Sequence, residues 1–120
     1  MPKTLPDLDV SGPLVSNSLG SGALDEPTAL QIALRLKALA DPVRVRIVSL
    51  LLASMDVRGV CTCDLAPAVG LGEATVSHHL RQLREAGLVV GTREGPNVWY
   101  LARPPALTAL CRVLDPESRP

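Results

Sequence analysis

The chain has 120 residues, enough for one domain and too few for two ordinary ones, and its 47% hydrophobic share excludes wholesale disorder. The core material is 21 Leu with no Phe, and Trp99 and Tyr100 are the only aromatic rings, which leans towards helices packed on helices. Lys and Arg total 12 against 12 Asp and Glu, so no net charge advertises a nucleic-acid partner, and no apolar run approaches the roughly 18 residues that span a bilayer.

Residues 1–24 carry Pro2, Pro6, Pro13, three Gly and four Ser without helical or strand periodicity, and are expected to form a flexible N-terminal arm. Lys3 has no apolar stretch behind it, so nothing there marks export. Asp25-Glu26-Pro27 is a helix start, with a capping carboxylate, acidic charge and Pro in the first turn. Leu30, Ala33, Leu34, Leu36 and Ala38 carry that helix to about Ala40 as its expected apolar pattern. Asp41-Pro42 restarts the chain as N-cap plus proline, because Pro42 cannot continue the previous helix without a lost hydrogen bond and a clash. Val43, Ile47, Leu50 and Leu51 form the next stripe, with Arg44 and Arg46 expected to solvate the outer face, phosphate contact being the other reading.

After the turn at Arg58-Gly59, Thr62 is the expected cap of a short helix, Cys63–Val69, that closes on a left-handed Gly70. A longer helix runs from Glu73 to Ala86, with Val76, Leu80 and Leu83 as its core face and Gly87 as its stop. Two short apolar runs, Leu88–Gly91 and Val98–Leu101, flank a loop of turn residues and predict a β-hairpin, one of whose adjacent rings, Trp99 or Tyr100, covers the core. Pro104-Pro105 opens a last helix with stripe Leu107, Leu110, Val113 and Leu114, ended by Pro116. The order α-α-α-α-β-β-α, with a tight Gly70–Gly72 turn between two helices and a hairpin behind them, is mainly α with a small β-hairpin: a winged helix-turn-helix. Residues 25–115 form the expected DNA-binding and dimerisation domain and 116–120 a C-terminal tail. The helix from Glu73 turns Thr75, Ser77, His78, Arg81, Gln82 and Arg84 outward, small or hydrogen-bonding groups suited to a major groove. Arg93 in the wing is a candidate for the minor groove or a phosphate, and of the adjacent histidines His78 faces out while His79 abuts the packing.

Three blocks carry a resemblance: Ala38-Leu39-Ala40-Asp41-Pro42-Val43-Arg44, Cys61-Thr62-Cys63-Asp64-Leu65, and Thr75 through Val89 with Thr-Val-Ser-His-His-Leu at its head. In order and spacing the chain resembles the ArsR/SmtB family of winged-helix metalloregulatory repressors over roughly residues 30 to 114. The odd count of three cysteines fits a reducing cytoplasm, and the resemblance implies a homodimer, paired through its first and last helices, that sits on double-stranded operator DNA and leaves when a metal or metalloid binds. The Cys-x-Cys-Asp-Leu element is similar to the arsenic- and antimony-responsive branch, in which thiolates at this helix start hold As(III) or Sb(III). Such ions are thiophilic and prefer three sulfurs, soft Cd(II) or Pb(II) being the alternative inducers. Thiols at a helix N-terminus also have depressed pKa. The chain departs from the branch at Ala66, where a third cysteine can stand, and its two tails have no cysteine. The third thiol in the sequence is Cys111 on the last helix, so the expected site is Cys61, Cys63 and Cys111, or two thiolates completed by a small ligand. The zinc and nickel branches place Asp and His on a last helix that here has no histidine.

Other readings stay beside this one. Cys61 and Cys63 can be ordinary buried thiols, and Cys111 a core or dimer-interface residue. Three cysteines make no disulfide framework, and a disulfide within Cys-x-Cys is expected to be strained, so a repressor responding to thiol oxidation is an alternative of lesser weight. A thiol-based reductase lacks a Cys-x-x-Cys, a phosphate-cradling Gly loop and a histidine beside a cysteine, so no enzyme is expected. The zero net charge divides by segment: residues 1–26 balance to −3, residues 27–103 carry nine basic groups against six acidic, and residues 104–120 are neutral. The acidic arm masks a mildly basic winged helix, which predicts weak non-specific DNA binding and reliance on dimerisation and groove fit.

Overall fold

The computed structural model describes Leu19 and residues 22–117. Their order is α1 (Glu26–Leu39), α2 (Pro42–Ala53), β1 (Val60–Cys61), α3 (Thr62–Val69), α4 (Glu73–Glu85), β2 (Val89–Glu94), β3 (Asn97–Ala102) and α5 (Pro104–Leu114). Both acidic starts form as expected: Asp25 Oδ1 accepts from the Thr28 amide at 2.9 Å, and Asp41 Oδ1 from the Val43 and Arg44 amides at 2.8 and 3.2 Å. A left-handed Gly70 (φ 74°) closes α3, and Gly87 (φ 76°) follows α4.

The sheet has three strands in the order β1-β3-β2, all antiparallel, one more than the hairpin read from sequence. Strand β1 has two residues, too few for any periodicity to show, and pairs Val60 with Tyr100 and Cys61 with Trp99. The hairpin is longer than its apolar runs, since the pairing continues through Arg93↔Val98 and Glu94↔Asn97 and leaves Gly95-Pro96 as the turn. Backbone bonds do not need apolar side chains, so the polar tip stays paired. A side chain at Gly59, whose φ is +92°, would collide with the Tyr100 carbonyl, so this glycine lets the loop into β1 lie against β3.

The main core joins Ile47, Val48 and Leu51 of α2, Leu65, Ala66 and Val69 of α3, Val76, Leu80 and Leu83 of α4, and Leu88, Val89 and Tyr100 beside the sheet. Ile32 of α1 packs with Leu110 and Val113 of α5 in a second cluster, which Leu24 and Leu39 flank. Helix α1 departs from its expected pattern. Ile32, Arg35 and Ala38 are the residues it buries, while Leu30, Ala33 and Leu36 stay exposed. Apolar residues lie on more than one face of this helix, and the buried line runs at intervals of three through a charged residue that a hydrophobicity pattern passes over. Arg35 is 1% exposed and its Nη1 reaches the Gln31 carbonyl at 3.5 Å. The expected arm lies almost wholly outside the described residues; within it, the Leu19 amide donates to the Val113 carbonyl at 2.9 Å. Residues 118–120 of the expected tail lie outside them too. No helix among the described residues is long and apolar enough to cross a membrane.

Candidate functional site

Two regions carry the chemistry, and one tight turn joins them. Helix α4 buries Val76, Leu80 and Leu83 completely and presents Thr75, Ser77, His78 and Arg81 to solvent. Gln82, expected outward, is half-buried because it flanks the apolar stripe. Arg93 is exposed on β2, one residue before the strand's end at the wing tip.

The histidines divide as expected. His78 is exposed, and His79 is half-buried with its ring 6.0 Å from that of His78. His79 is also held: Arg44 Nε donates to its Nδ1 at 3.0 Å, while Arg44 Nη1 reaches the Ala38 carbonyl at 3.5 Å. Arg46 Nη2 donates to the Ala68 carbonyl at 3.1 Å. Arg44, expected to solvate α2, is half-buried and ties it to α1 and α4, because an Arg stem reaches across interhelical grooves that a single-helix pattern does not contain, whereas Arg46 is exposed as expected and also reaches α3. At the start of α2, burial pushes the Asp41 carboxyl up, but the amides of Arg44 and Val43 outweigh it and hold the group below its ordinary value.

The second region is the corner where β1 runs into α3. Cys61 is the N-cap, with extended backbone (φ −80°, ψ 160°), and Thr62, the expected cap, is the first helical residue. Cys61 already belongs to the sheet through Trp99, and its side chain makes no capping bond. Cys61 and Cys63 are joined by a disulfide, contrary to the expectation of strain. The step from extended to helical backbone sets their Cα atoms 5.3 Å apart, inside the ordinary bridging range of about 4.4–6.8 Å. Cys61 is 1% exposed and Cys63 is open to solvent.

The two sulfurs and a carboxylate oxygen of Asp64 lie within 4.8 Å of one another, a grouping of donor atoms that could hold a metal ion. Reduction of the disulfide would free two thiolates beside that carboxylate. Asp64 went unassigned from sequence, although the signal was present: a carboxylate directly after Cys-x-Cys on the first turn of a helix. Cys111 is an exposed free thiol on α5 and does not join this group within one chain. Pro67 inside α3 removes the amide that would bond the Cys63 carbonyl, so the first turn of this helix is less tied than the rest. On the other side the corner is clamped to the wing. Arg58 pairs with Asp56 at 3.2 Å, and its guanidinium carbon stacks 4.4 Å from the Trp99 ring centroid.

Residues 41–90 match the family model described as "Bacterial regulatory protein, arsR family". The chain is 42% identical over 80 residues to the HTH-type transcriptional regulator NmtR of Mycobacterium tuberculosis, covering 67% of this chain and 63% of that one, so it spans less than two thirds of that relative. It is 34% identical over 83 residues to the arsenical resistance operon repressor of Escherichia coli, covering 69% and 68%. Among solved structures, the homodimeric winged helix-turn-helix DNA-binding domain Mb0332 of Mycobacterium bovis, described as a possible ArsR-family regulator, superposes with a TM-score of 0.61 at 30% identity, over 78% of this chain and 85% of that one.

Proposed function

Since this chain belongs to the arsR family of bacterial regulatory proteins, we propose that it is a metal- or metalloid-responsive repressor: it binds operator DNA as a homodimer and is released when As(III) or Sb(III) is held by Cys61 and Cys63. The observation that carries this reading is the pair of sulfurs at the first turn of α3, one glycine turn ahead of α4. The E. coli arsenical relative supports the choice of inducer. Since Cys111 does not join the two sulfurs within one chain, the third donor for As(III) is the partner subunit's Cys111 or a small ligand. The DNA contacts are Thr75, Ser77, His78, Arg81, Gln82 and Arg93. Leu30 and Leu36 of α1 and Leu114 of α5, apolar and exposed in the single chain, belong to the dimer face. The same reading puts the protein's work in the cytoplasm.

The mechanism follows from what each cysteine is attached to. Cys61 is part of β1 and so of the wing sheet, and Cys63 is part of α3, which packs on α4. An ion gripping both sulfurs resets the joint between these bodies. The two reading helices of the dimer then no longer match major grooves about 34 Å apart. Asp64 favours a second inducer class, because an oxygen donor beside two thiolates suits divalent Cd(II) or Pb(II) better than As(III).

The test is operator affinity of the reduced dimer with As(III), Sb(III), Cd(II), Pb(II) and Zn(II). A coupling free energy of about 1–3 kcal/mol is a fall of roughly 5- to 150-fold with the true inducer. Cys61→Ser and Cys63→Ser keep operator binding and lose the response, and Asp64→Asn weakens only a divalent response. Affinity unchanged by all five ions sinks the sensor and leaves DNA binding standing.

A further inference from the structure

We propose that Arg44 is the positioning residue of the DNA-reading helix, acting through His79. This rests on the operator-binding part of the reading above and not on the cysteines. The stripe Val76, Leu80 and Leu83, each 0% exposed, fixes how deeply α4 is seated. Apolar contact is non-directional, however, so it resists rotation of the helix about its own axis only weakly. A turn of about 20° would carry side-chain ends, roughly 5–6 Å from the axis, by about 2 Å. That shift is enough to break hydrogen bonds to base edges, whose donor–acceptor distances span only about 2.7–3.2 Å.

His79 flanks the stripe, three residues after Val76 and four before Leu83, so its ring moves with any such rotation. Arg44 Nε donates to the ring at Nδ1, at 3.0 Å, so Nδ1 is the accepting atom. The arginine is itself fixed from two sides. Its amide donates to Asp41 Oδ1 at 3.2 Å, and its Nη1 meets the last turn of α1 at the Ala38 carbonyl, at 3.5 Å. One side chain therefore gives α4 a directional reference to the α1–α2 junction. Arg44 contributes to operator specificity without touching a base.

The experiment uses the full-length reduced dimer and two probes: a duplex enriched from a random pool by the wild-type protein, and an unrelated duplex of equal length. Arg44→Met and His79→Leu each weaken binding to the enriched duplex about tenfold, the scale of one charge-assisted hydrogen bond, and leave the unrelated duplex unaffected. The double variant is no weaker than either single one. His79→Asn, whose Oδ1 can accept the same bond, regains affinity to within about twofold. If Arg44→Met does not fold, the His79→Leu and His79→Asn pair decides alone, since Arg44 is then intact. Equal losses on both duplexes would make Arg44 a phosphate contact and overturn the proposal, as would additive losses in the double variant or a His79→Asn protein as weak as His79→Leu. A wild-type dimer that enriches no duplex overturns the operator reading and this proposal together, whereas enrichment with an unimpaired Arg44→Met overturns this proposal alone.

Discussion

Helix α4 and the β1–α3 corner sit either side of the Gly70–Gly72 turn, yet they are built on opposite plans. In α4 three fully buried residues on one face carry the packing, and the polar face is left free to read a surface. At the corner there is almost no element: a strand of two residues, one cysteine inside the sheet, one on a short helix, and a proline that removes a backbone bond from the cysteine's own carbonyl. A reading surface has to keep its shape: the buried stripe seats α4, and the bond from Arg44 to His79 gives it a directional reference. A joint that senses an ion, the role proposed for the corner, has to change shape when the ion binds. Few, replaceable bonds suit that, because ligand–sulfur bonds can then compete with what holds the joint.

The sharpest way to break this contrast is Leu80→Ala. Removing a completely buried leucine from α4 costs about 2–5 kcal/mol, a large part of a small domain's stability. Chemical denaturation should show a matching fall in midpoint, with operator binding and inducer response lost together because both regions share the main core. A protein that lost only DNA binding would mean that the corner is stable without α4, and the two regions would then be separate units.

Oxidation tests the corner alone. With Cys61 and Cys63 joined, no thiolate is available, so the oxidised protein should bind no Cd(II) or As(III) at this corner, and two-electron reduction by a dithiol should restore one ion per site. Operator affinity without metal should change little, since α4 keeps Val76, Leu80 and Leu83 fully buried in the same structure that carries the disulfide. Trp99 pairs with Cys61 and supplies the readout, its fluorescence responding to metal only in the reduced protein. Stoichiometric binding to the oxidised form would remove Cys61 and Cys63 from the site.

The same contrast explains what the sequence made legible. The α4 stripe, the acidic starts at Asp25 and Asp41 and the left-handed Gly70 follow from period, cap and turn rules acting within one segment, and the structure has each of them. The outward set Thr75, Ser77, His78 and Arg81 came from the same period. Strand β1 was invisible because two residues have no period, and its only reason to be extended is a partner nearly forty positions away. The bridging of Cys61 to Cys63 depends on that strand meeting a helix at Thr62, so the thiols could be named while their geometry could not. Arg44 likewise looked like solvated charge, since the acceptors that claim it lie on other helices.

The smallest expected effect compares one carboxylate from each region. Asp41, on the α4 side, is raised by burial but held below its ordinary value by the amides of Arg44 and Val43. Asp56, on the corner side, is held low first by the Arg58 side chain and then by the Arg58 amide. A carboxyl whose folded pKa is depressed adds stability that is fully present above its unfolded value, near 3.8, and is lost as pH falls through the lower folded value. Thermal unfolding between about pH 7 and pH 2 should therefore show an acid limb that is shallower in Asp41→Ala and in Asp56→Ala than in the wild type. Near neutral pH the Asp41 variant should lose more, because it leaves two amides of the first turn of α2 without their acceptor, whereas Asp56 gives up a solvent-screened pair with an arginine that still stacks on Trp99. Equal losses would mean that the corner depends on its loop charges as heavily as α2 depends on its cap, and the joint would then be stiffer than its sparse bonding implies.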